Sequence, residues 1–370
     1  MVQWFPQGIA TGKAFCNRLN ERSMLKKNIE AHENIVLVAP RRYGKTSLVT
    51  QVLHESKIAG AHLDFFFVLS QEDVTKVISE GVSKIASELV SSAENKLIKI
   101  VNKLREYQPK LMFNVFGTKI EINSKQVSDK SISEMLLSLD HLAQETEKSC
   151  VLIFDEFQQI GQLTENHAVE AAIRHAVERS NHVSYIFCGS IRHLLNEMFS
   201  SKNRPLYHLC DLMEIYRISK DSYFQFLQNA AISEWGITLA NDVIDEILEL
   251  TEHHPYYVNA LCRKVWCEDK APTLSSIQRA WIDFTDKQSS WIAQDLSQLS
   301  LTRRKLLFAL ALNPTSEPLG QSFVQKTKLG TSTVQKSLDA LMKLDLIYRD
   351  EKQQYRVLDP CVAYFIRENS

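Results

Sequence analysis

Lys45, Thr46, Asp155 and Glu156 are the residues of this 370-residue chain whose types and spacing suit chemistry on a polyphosphate. Lys45 and Thr46 lie near the end of Ala39-Pro40-Arg41-Arg42-Tyr43-Gly44-Lys45-Thr46-Ser47, which follows the spacing G-x-x-x-x-G-K-[ST] except that alanine stands for the first glycine. The apolar run Ile35 to Val38 precedes it, and a helix is expected to start near Lys45. Backbone N–H groups between Pro40 and Thr46 can then wrap a polyphosphate, with the positive end of the helix dipole behind them. Gly44 keeps the approach open, Lys45 reaches the β- and γ-phosphates, and the Thr46 hydroxyl suits Mg²⁺.

The acids close a second stretch, Val151-Leu152-Ile153-Phe154-Asp155-Glu156, four apolar residues and then two carboxylates. Asp155 is expected beside the metal shell, and Glu156 is expected to orient or deprotonate the attacking water. A strand ending in Asp-Glu is by itself ordinary. Together with the loop it points to nucleoside triphosphate hydrolysis. A further strand, His182 to Cys188, ends in Gly189-Ser190. Ser190 is a candidate sensor of the γ-phosphate or attacking water, or else a helix cap.

Composition narrows the class. The length asks for two or three domains. With 43 Lys+Arg against 44 Asp+Glu, any surface for nucleic acid or acidic membrane must be local. The seven cysteines form no C-x-x-C pair and read as reduced core residues of a cytoplasmic protein. His253, His254, Cys262 and Cys267 fit no common metal spacing. No stretch approaches the roughly 20 apolar residues that span a bilayer, so no membrane partner is expected.

Following the pattern along the chain gives an α/β parallel-sheet core over residues 1–218, a helical lid over 219–297 and a winged-helix domain over 298–370. Ala61 to Leu69 is expected as a buried strand, Glu72 to about Tyr107 as helix, and Leu212 to Ile218 as the last core strand. Two alternating runs about Gly117 read as an inserted hairpin at about 108–125, an edge decoration or else a partner-docking element. Ser275 to Gln298 is expected as one helix. Leu346 to Val357 reads as a wing turning near Asp350 to Gln353. Residues 301–370 hold 11 Lys+Arg and 7 Asp+Glu, a local surplus that motivates duplex DNA as a partner, with a partner protein as the alternative.

With these pieces located, the chain resembles prokaryotic P-loop ATPases of the STAND and AAA+ type, relatives of the origin-recognition ATPases. The resemblance rests on Arg18 and Glu21 in the opening segment, Pro40 to Ser47, Phe154-Asp155-Glu156-Phe157-Gln158, and Phe187-Cys188-Gly189-Ser190. It implies ATP and Mg²⁺ as cofactors, with Arg18 and Pro255 as further nucleotide contacts. His253-His254-Pro255 stands where the family has Gly-x-Pro, and Asn17 replaces a glycine. Leu209 replaces an arginine, so Arg174 or Arg204 is the candidate charge-stabilising finger. A switch driven by ATP hydrolysis is the leading expectation. The alternatives are a DNA-binding regulator with a regulatory nucleotide site, and a slow-turnover scaffold. An oligomer is compatible with each.

Overall fold

The computed structural model describes residues 4–90, 113–115, 118–120, 129–163 and 167–370. In chain order its strands are β1 (Ile35–Val38), β2 (Ala59–Asp64), β3 (Phe113–Val115), β4 (Thr118–Ile120), β5 (Cys150–Asp155), β6 (Val183–Gly189), β7 (Asp211–Glu214), β8 (Ile347–Arg349) and β9 (Tyr355–Val357). The chain divides into two compact units, one of residues 19–41 and 45–215, the other of 1–18, 42–44 and 216–370.

The first unit is built on a parallel sheet of order β2-β5-β6-β1-β7. Strands β1 and β6 are buried throughout, and β5 is buried up to Asp155. Strands covered on both faces read as unbroken apolar runs rather than as alternation. The helices Gln71–Leu89, Asp129–Glu145 and Ala168–Val177 pack on one another beside the sheet, and Leu19–Glu30 packs on Lys45–Ser56. Leu152, Phe154, Tyr185 and Phe187 of the strands share one core with Ile78, Ile132 and Ile173 of the helices. Because β6 lies between β1 and β5, the loop after β1, the acids after β5 and Gly189-Ser190 leave the same end of the sheet as neighbours. The carboxyl ends of parallel strands are where such sheets bind ligands.

Three expectations for this unit change. Strand β2 stops at Asp64, because its partner β5 ends at Asp155 in register with it. The next residues turn away: Phe65 is buried and stacks on Phe154 at 5.5 Å, while Phe66, Phe67 and Leu69 are exposed. Strand β7 is Asp211–Glu214, since β1 offers only four residues to pair with it. The third helix ends at Leu89, capped at its start by Ser70, whose side chain accepts from Asp73 N. Leu97 and Val101 of the longer expected helix lie outside the described residues. The hairpin is present, with Phe113 opposite Ile120.

The second unit is helical apart from β8 and β9. The helices Lys220–Trp235, Asn241–Leu250, Pro255–Val265, Leu274–Asp286 and Ser289–Gln298 are followed by Leu301–Leu312, Gln321–Thr327, Thr331–Lys343 and Pro360–Glu368. The expected helix Ser275 to Gln298 is broken at Lys287-Gln288, where the Thr285 hydroxyl donates to Trp281 O (3.1 Å) and Ile282 O (2.9 Å). Side chains that bond back to carbonyls favour such bends. The wing turns on Asp350, whose Oδ1 accepts from Lys352 N and Gln354 N, both at 2.9 Å. Pro360–Glu368 goes beyond the expected three helices. Asp359 caps it by accepting from Cys361 N (2.8 Å), and Pro360 opens it.

One apolar cluster runs through the whole of the second unit, from Tyr257 and Trp281 to Leu306, Leu338, Cys361 and Ile366. Five cysteines are buried and Cys210 is half-buried. Cys267 is exposed, contrary to the expectation of seven core cysteines. No helix among the described residues is long and apolar enough to cross a membrane.

Candidate active site

The loop after β1 combines a buried base with a turned tip. Ala39 and Pro40 are buried, and Arg42 (φ 65°) and Gly44 (φ 85°) adopt left-handed backbone. An added Cβ at Gly44 would meet no atom within 4 Å, so the demand for glycine there comes from the backbone conformation rather than from space. Lys45 opens the following helix and is 7% exposed. Its Nζ donates to Ala39 O (2.9 Å) and Pro40 O (3.2 Å), so the ammonium lies inside the loop. Ser47, half-buried, follows one residue after Thr46.

Thr46 and Asp155, distant in sequence, meet directly. Thr46 Oγ1 donates to Asp155 Oδ2 at 3.1 Å, and Asp155 Oδ1 accepts from Glu156 N at 3.0 Å. One hydroxyl and one carboxylate, with phosphate oxygens and waters to complete the shell, match the way Mg²⁺ binds at phosphate sites. Among the described residues no three His, Cys, Asp or Glu side chains gather to form a protein-only metal cage.

Glu156 leaves β5 in a left-handed conformation, φ 51° and ψ 37°, which costs a non-glycine residue on the order of 1 kcal/mol. Its carboxylate is then held at one oxygen. Oε2 accepts from Ser190 Oγ (2.7 Å) and from Gln158 Nε2 (2.6 Å), and Arg41 Nε donates to Ser190 Oγ (3.1 Å). Ser190 and Gln158 are almost fully buried. Gln158 Oε1 is buried without a hydrogen-bond partner among the described residues, a desolvation cost of about 1–3 kcal/mol. The arrangement can hold a carboxylate, one residue beyond Asp155, in position to take a proton from water.

The loop tip, residues 42–44, belongs to the helical unit and is gripped there. Arg18, itself left-handed at φ 56° and 5% exposed, donates from Nη2 to Tyr43 O (2.9 Å) and Tyr216 O (3.0 Å). It thus braces the loop backbone. The Arg42 guanidinium lies 4.2 Å from the Tyr256 ring centroid. Tyr43 packs edge-on against His254 at 4.8 Å, and its hydroxyl accepts from Arg217 Nε at 3.2 Å. Arg217 also donates to Glu252 O, Glu252 Oε2 and Leu358 O at 2.8–2.9 Å and lies over the Tyr348 ring at 4.5 Å. Burial pushes the Glu252 carboxyl up, but Arg217 and Arg367 outweigh it and hold it below the usual range.

Pro255 occupies the first turn of its helix, and the preceding His254 caps it, Nδ1 accepting from Tyr256 N at 3.2 Å. The acceptor Nδ1 carries no proton, so the ring is neutral with its proton on Nε2. Burial, with Arg217 and Arg42 adding to it, depresses the imidazole well below its ordinary range.

Arg174 and Arg204 are engaged away from Glu156. Arg204 bonds through Nε (3.2 Å) and Nη2 (2.6 Å) to the buried carboxylate of Glu170. Burial raises that carboxyl even with Arg204 and His167 beside it. Arg174 holds Glu178 (2.7 Å) and the carbonyls of Pro205 and Tyr207. Neither bonds to Glu156 or Ser190 among the described residues. The arginine that does reach Ser190 is Arg41. Gln158 and Arg217 make contacts at the site that sequence reasoning missed; Gln158 sits inside a recognised motif, whereas no motif marks Arg217.

Residues 15–261 match the family described as an ATPase domain predominantly from Archaea, and residues 293–368 match a probable winged helix domain. A Walker-type ATPase of Pyrococcus abyssi is similar over 98% of this chain and 99% of its own, at 20% identity and a TM-score of 0.69. The Aeropyrum pernix ORC2 protein, solved as ADPNP-ADP complexes, is similar over 99% of this chain and 98% of its own, at 13% identity and a TM-score of 0.53. At these identities the structural likeness speaks to the fold alone. No curated protein matches the chain. The family match spans well over half of the sequence and agrees with the loop, the acidic strand and the sheet order, so the chain belongs to the family of ATPase domains found predominantly in Archaea.

Proposed function

We propose that the chain binds Mg²⁺-ATP in the loop from Pro40 to Ser47, hydrolyses its β–γ phosphoanhydride bond, and relays the nucleotide state to its winged-helix domain. The observation that carries this reading is the meeting of Thr46 with Asp155 at 3.1 Å, beside a Glu156 held by Ser190 and Gln158. Backbone N–H groups and Lys45 bind the phosphates. Thr46 and Asp155 would hold the Mg²⁺, which when bound neutralises charge on the phosphate oxygens. Glu156 takes a proton from water as the water oxygen bonds to the γ-phosphorus and the bond to the bridging oxygen breaks, giving ADP and phosphate. Arg41, through Ser190, supplies positive charge beside the carboxylate.

The relay rests on the loop tip. Tyr43 is joined to the lid and winged helix through Arg217, which bonds Glu252 on one side and Leu358 O on the other. A bound triphosphate that reorders residues 42–44 would be felt along that path. Turnover of ATP and GTP by purified protein, with and without EDTA, tests the reading. Glu156→Gln is expected to bind Mg²⁺-ATP normally and turn over at least about 100-fold more slowly. Lys45→Ala is expected to lose tight triphosphate binding in isothermal titration. Unchanged turnover in the first variant or unchanged affinity in the second, with the protein folded, rejects the site.

A second reading, duplex DNA as partner of the tail, is favoured by the exposed Lys336 and Lys343 on the helix Thr331–Lys343 of the probable winged helix domain.

A further inference from the structure

We propose that Gln158 is a positioning residue for Glu156: it fixes the carboxylate so that one oxygen is anchored and the other is presented to water. The inference rests on the reading of Glu156 as the general base. Gln158 is 1% exposed, and its Nε2 donates to Glu156 Oε2 at 2.6 Å. Ser190 bonds the same oxygen, whereas Oε1 of Glu156 carries no hydrogen bond among the described residues. A carboxylate held at one oxygen by two donors has lost its rotational freedom, and its second oxygen has a defined direction.

The surroundings of Gln158 argue against a purely packing role. Its Oε1 is buried with no partner among the described residues, so the amide carries a burden that methionine or leucine would not. Such a group persists where its donor end is needed. Strand β6 makes room for it: a Cβ at Gly189 would collide with Gln158 Oε1 and lie 3.3 Å from its Cδ. The strand thus has no side chain where the amide enters. The two donors on Glu156 also differ in kind. Ser190 is shared with the exposed Arg41 of the loop, while Gln158 is sealed in the core and holds Glu156 independently of the loop. The Asp-Glu-x-Gln pattern of β5 and its following turn is therefore one device, with the glutamine turning back onto the glutamate two residues before it.

The test uses the full chain. Gln158→Met, which keeps the volume and removes the donor, is expected to lower kcat by about 10-fold or more. The Kd for Mg²⁺-ATP is expected to stay within about twofold and the thermal midpoint to be unchanged or higher. Gly189→Ala reaches the same point by another route, displacing the flexible end of Gln158, and is expected to lower kcat similarly in a folded protein. In a Glu156→Gln background, Gln158→Met is expected to add no further loss. A readout free of turnover is the Gln158 side-chain amide in ¹⁵N-glutamine-labelled protein, assigned by its loss in Gln158→Met. Its protons are expected at low field and in slow exchange, and Glu156→Ala is expected to abolish both features. Wild-type protein that does not hydrolyse ATP defeats the general-base reading, and the amide resonances then still judge the pairing. Active wild type with kcat unchanged in both Gln158→Met and Gly189→Ala, or amide resonances indifferent to Glu156, overturns the positioning role.

Discussion

At the scale of single residues, the site is made of groups that hold one another in place. Lys45 lies on two loop carbonyls, Thr46 on Asp155, and Glu156 between Ser190 and Gln158. Preorganised charge of this kind needs little rearrangement at the moment of reaction. His254 is fixed in the same way, because only a neutral ring can cap its helix through Nδ1. That fixes the sign of a pH effect. The unfolded chain takes up a proton at His254 below about pH 6.5, while the folded chain, with its imidazole depressed, does not, so stability falls as the pH drops through that region. His62 and His253, also lowered chiefly by burial, act in the same direction. Urea midpoints are therefore expected to fall between about pH 7.5 and 5.5. His254→Asn, which keeps a cap acceptor but no titrating ring, is expected to flatten that slope while lowering stability at every pH. An unaltered slope would show that His254 is protonated in the folded state.

At the scale of elements, Arg217 joins parts that the sequence presents as separate. It bonds Tyr43 of the loop, Glu252 at the end of Asn241–Leu250, and Leu358 O ahead of the last helix, and it lies over Tyr348 of β8. Removing one partner of a buried ion pair commonly costs about 3–5 kcal/mol. Arg367 still holds Glu252 at 2.8 Å, so Arg217→Met is expected to cost about 3 kcal/mol in urea denaturation, the low end of that range, and to weaken ATP binding as the loop tip loosens. A stable variant with normal ATP affinity would reduce Arg217 to packing. Glu252, held low by its arginines, adds stability that is present above its unfolded value near pH 4.3 and lost as the pH falls through the lower folded value. Such elements also show what the sequence makes legible. The central strands were readable because burial on both faces leaves an unbroken apolar run, as in Ile35–Val38. The end of β2 was not, because Phe65 to Leu69 continues the apolar run, and only the length of β5 stops the pairing. That Thr46 meets Asp155 and Ser190 meets Glu156 follows from motif spacing on a parallel sheet, while their roles rest on the proposed function. Gln158 and Arg217 were not singled out, because their roles arise from contacts that exist only once the chain is folded.

At the scale of the whole molecule, the question is what the winged helix touches, and the chain's charge makes the answer local. The protein is nearly neutral, with 43 cationic against 44 acidic residues, so no global field would draw it to duplex DNA. Binding would depend on cations such as Lys336 and Lys343, both exposed on Thr331–Lys343. The measurement belongs to the full chain rather than to an excised tail. Cys361 and Ile366 share their core with Tyr257 and Trp281, and Tyr257 Oη donates to Asp359 at 2.6 Å, so cutting near residue 298 would open an apolar face. Fluorescence anisotropy with an arbitrary duplex, in salt from about 50 to 200 mM, is expected to show weak affinity that falls steeply with salt. Charge reversal of Lys336 and Lys343 is expected to weaken binding on every sequence and to flatten the slope of log affinity against log salt by about two, one unit for each phosphate no longer neutralised. Binding at low salt that ignores these two lysines would move the DNA surface elsewhere on the chain. No binding at low salt in either nucleotide state would remove DNA as the partner and leave the winged helix to dock a protein.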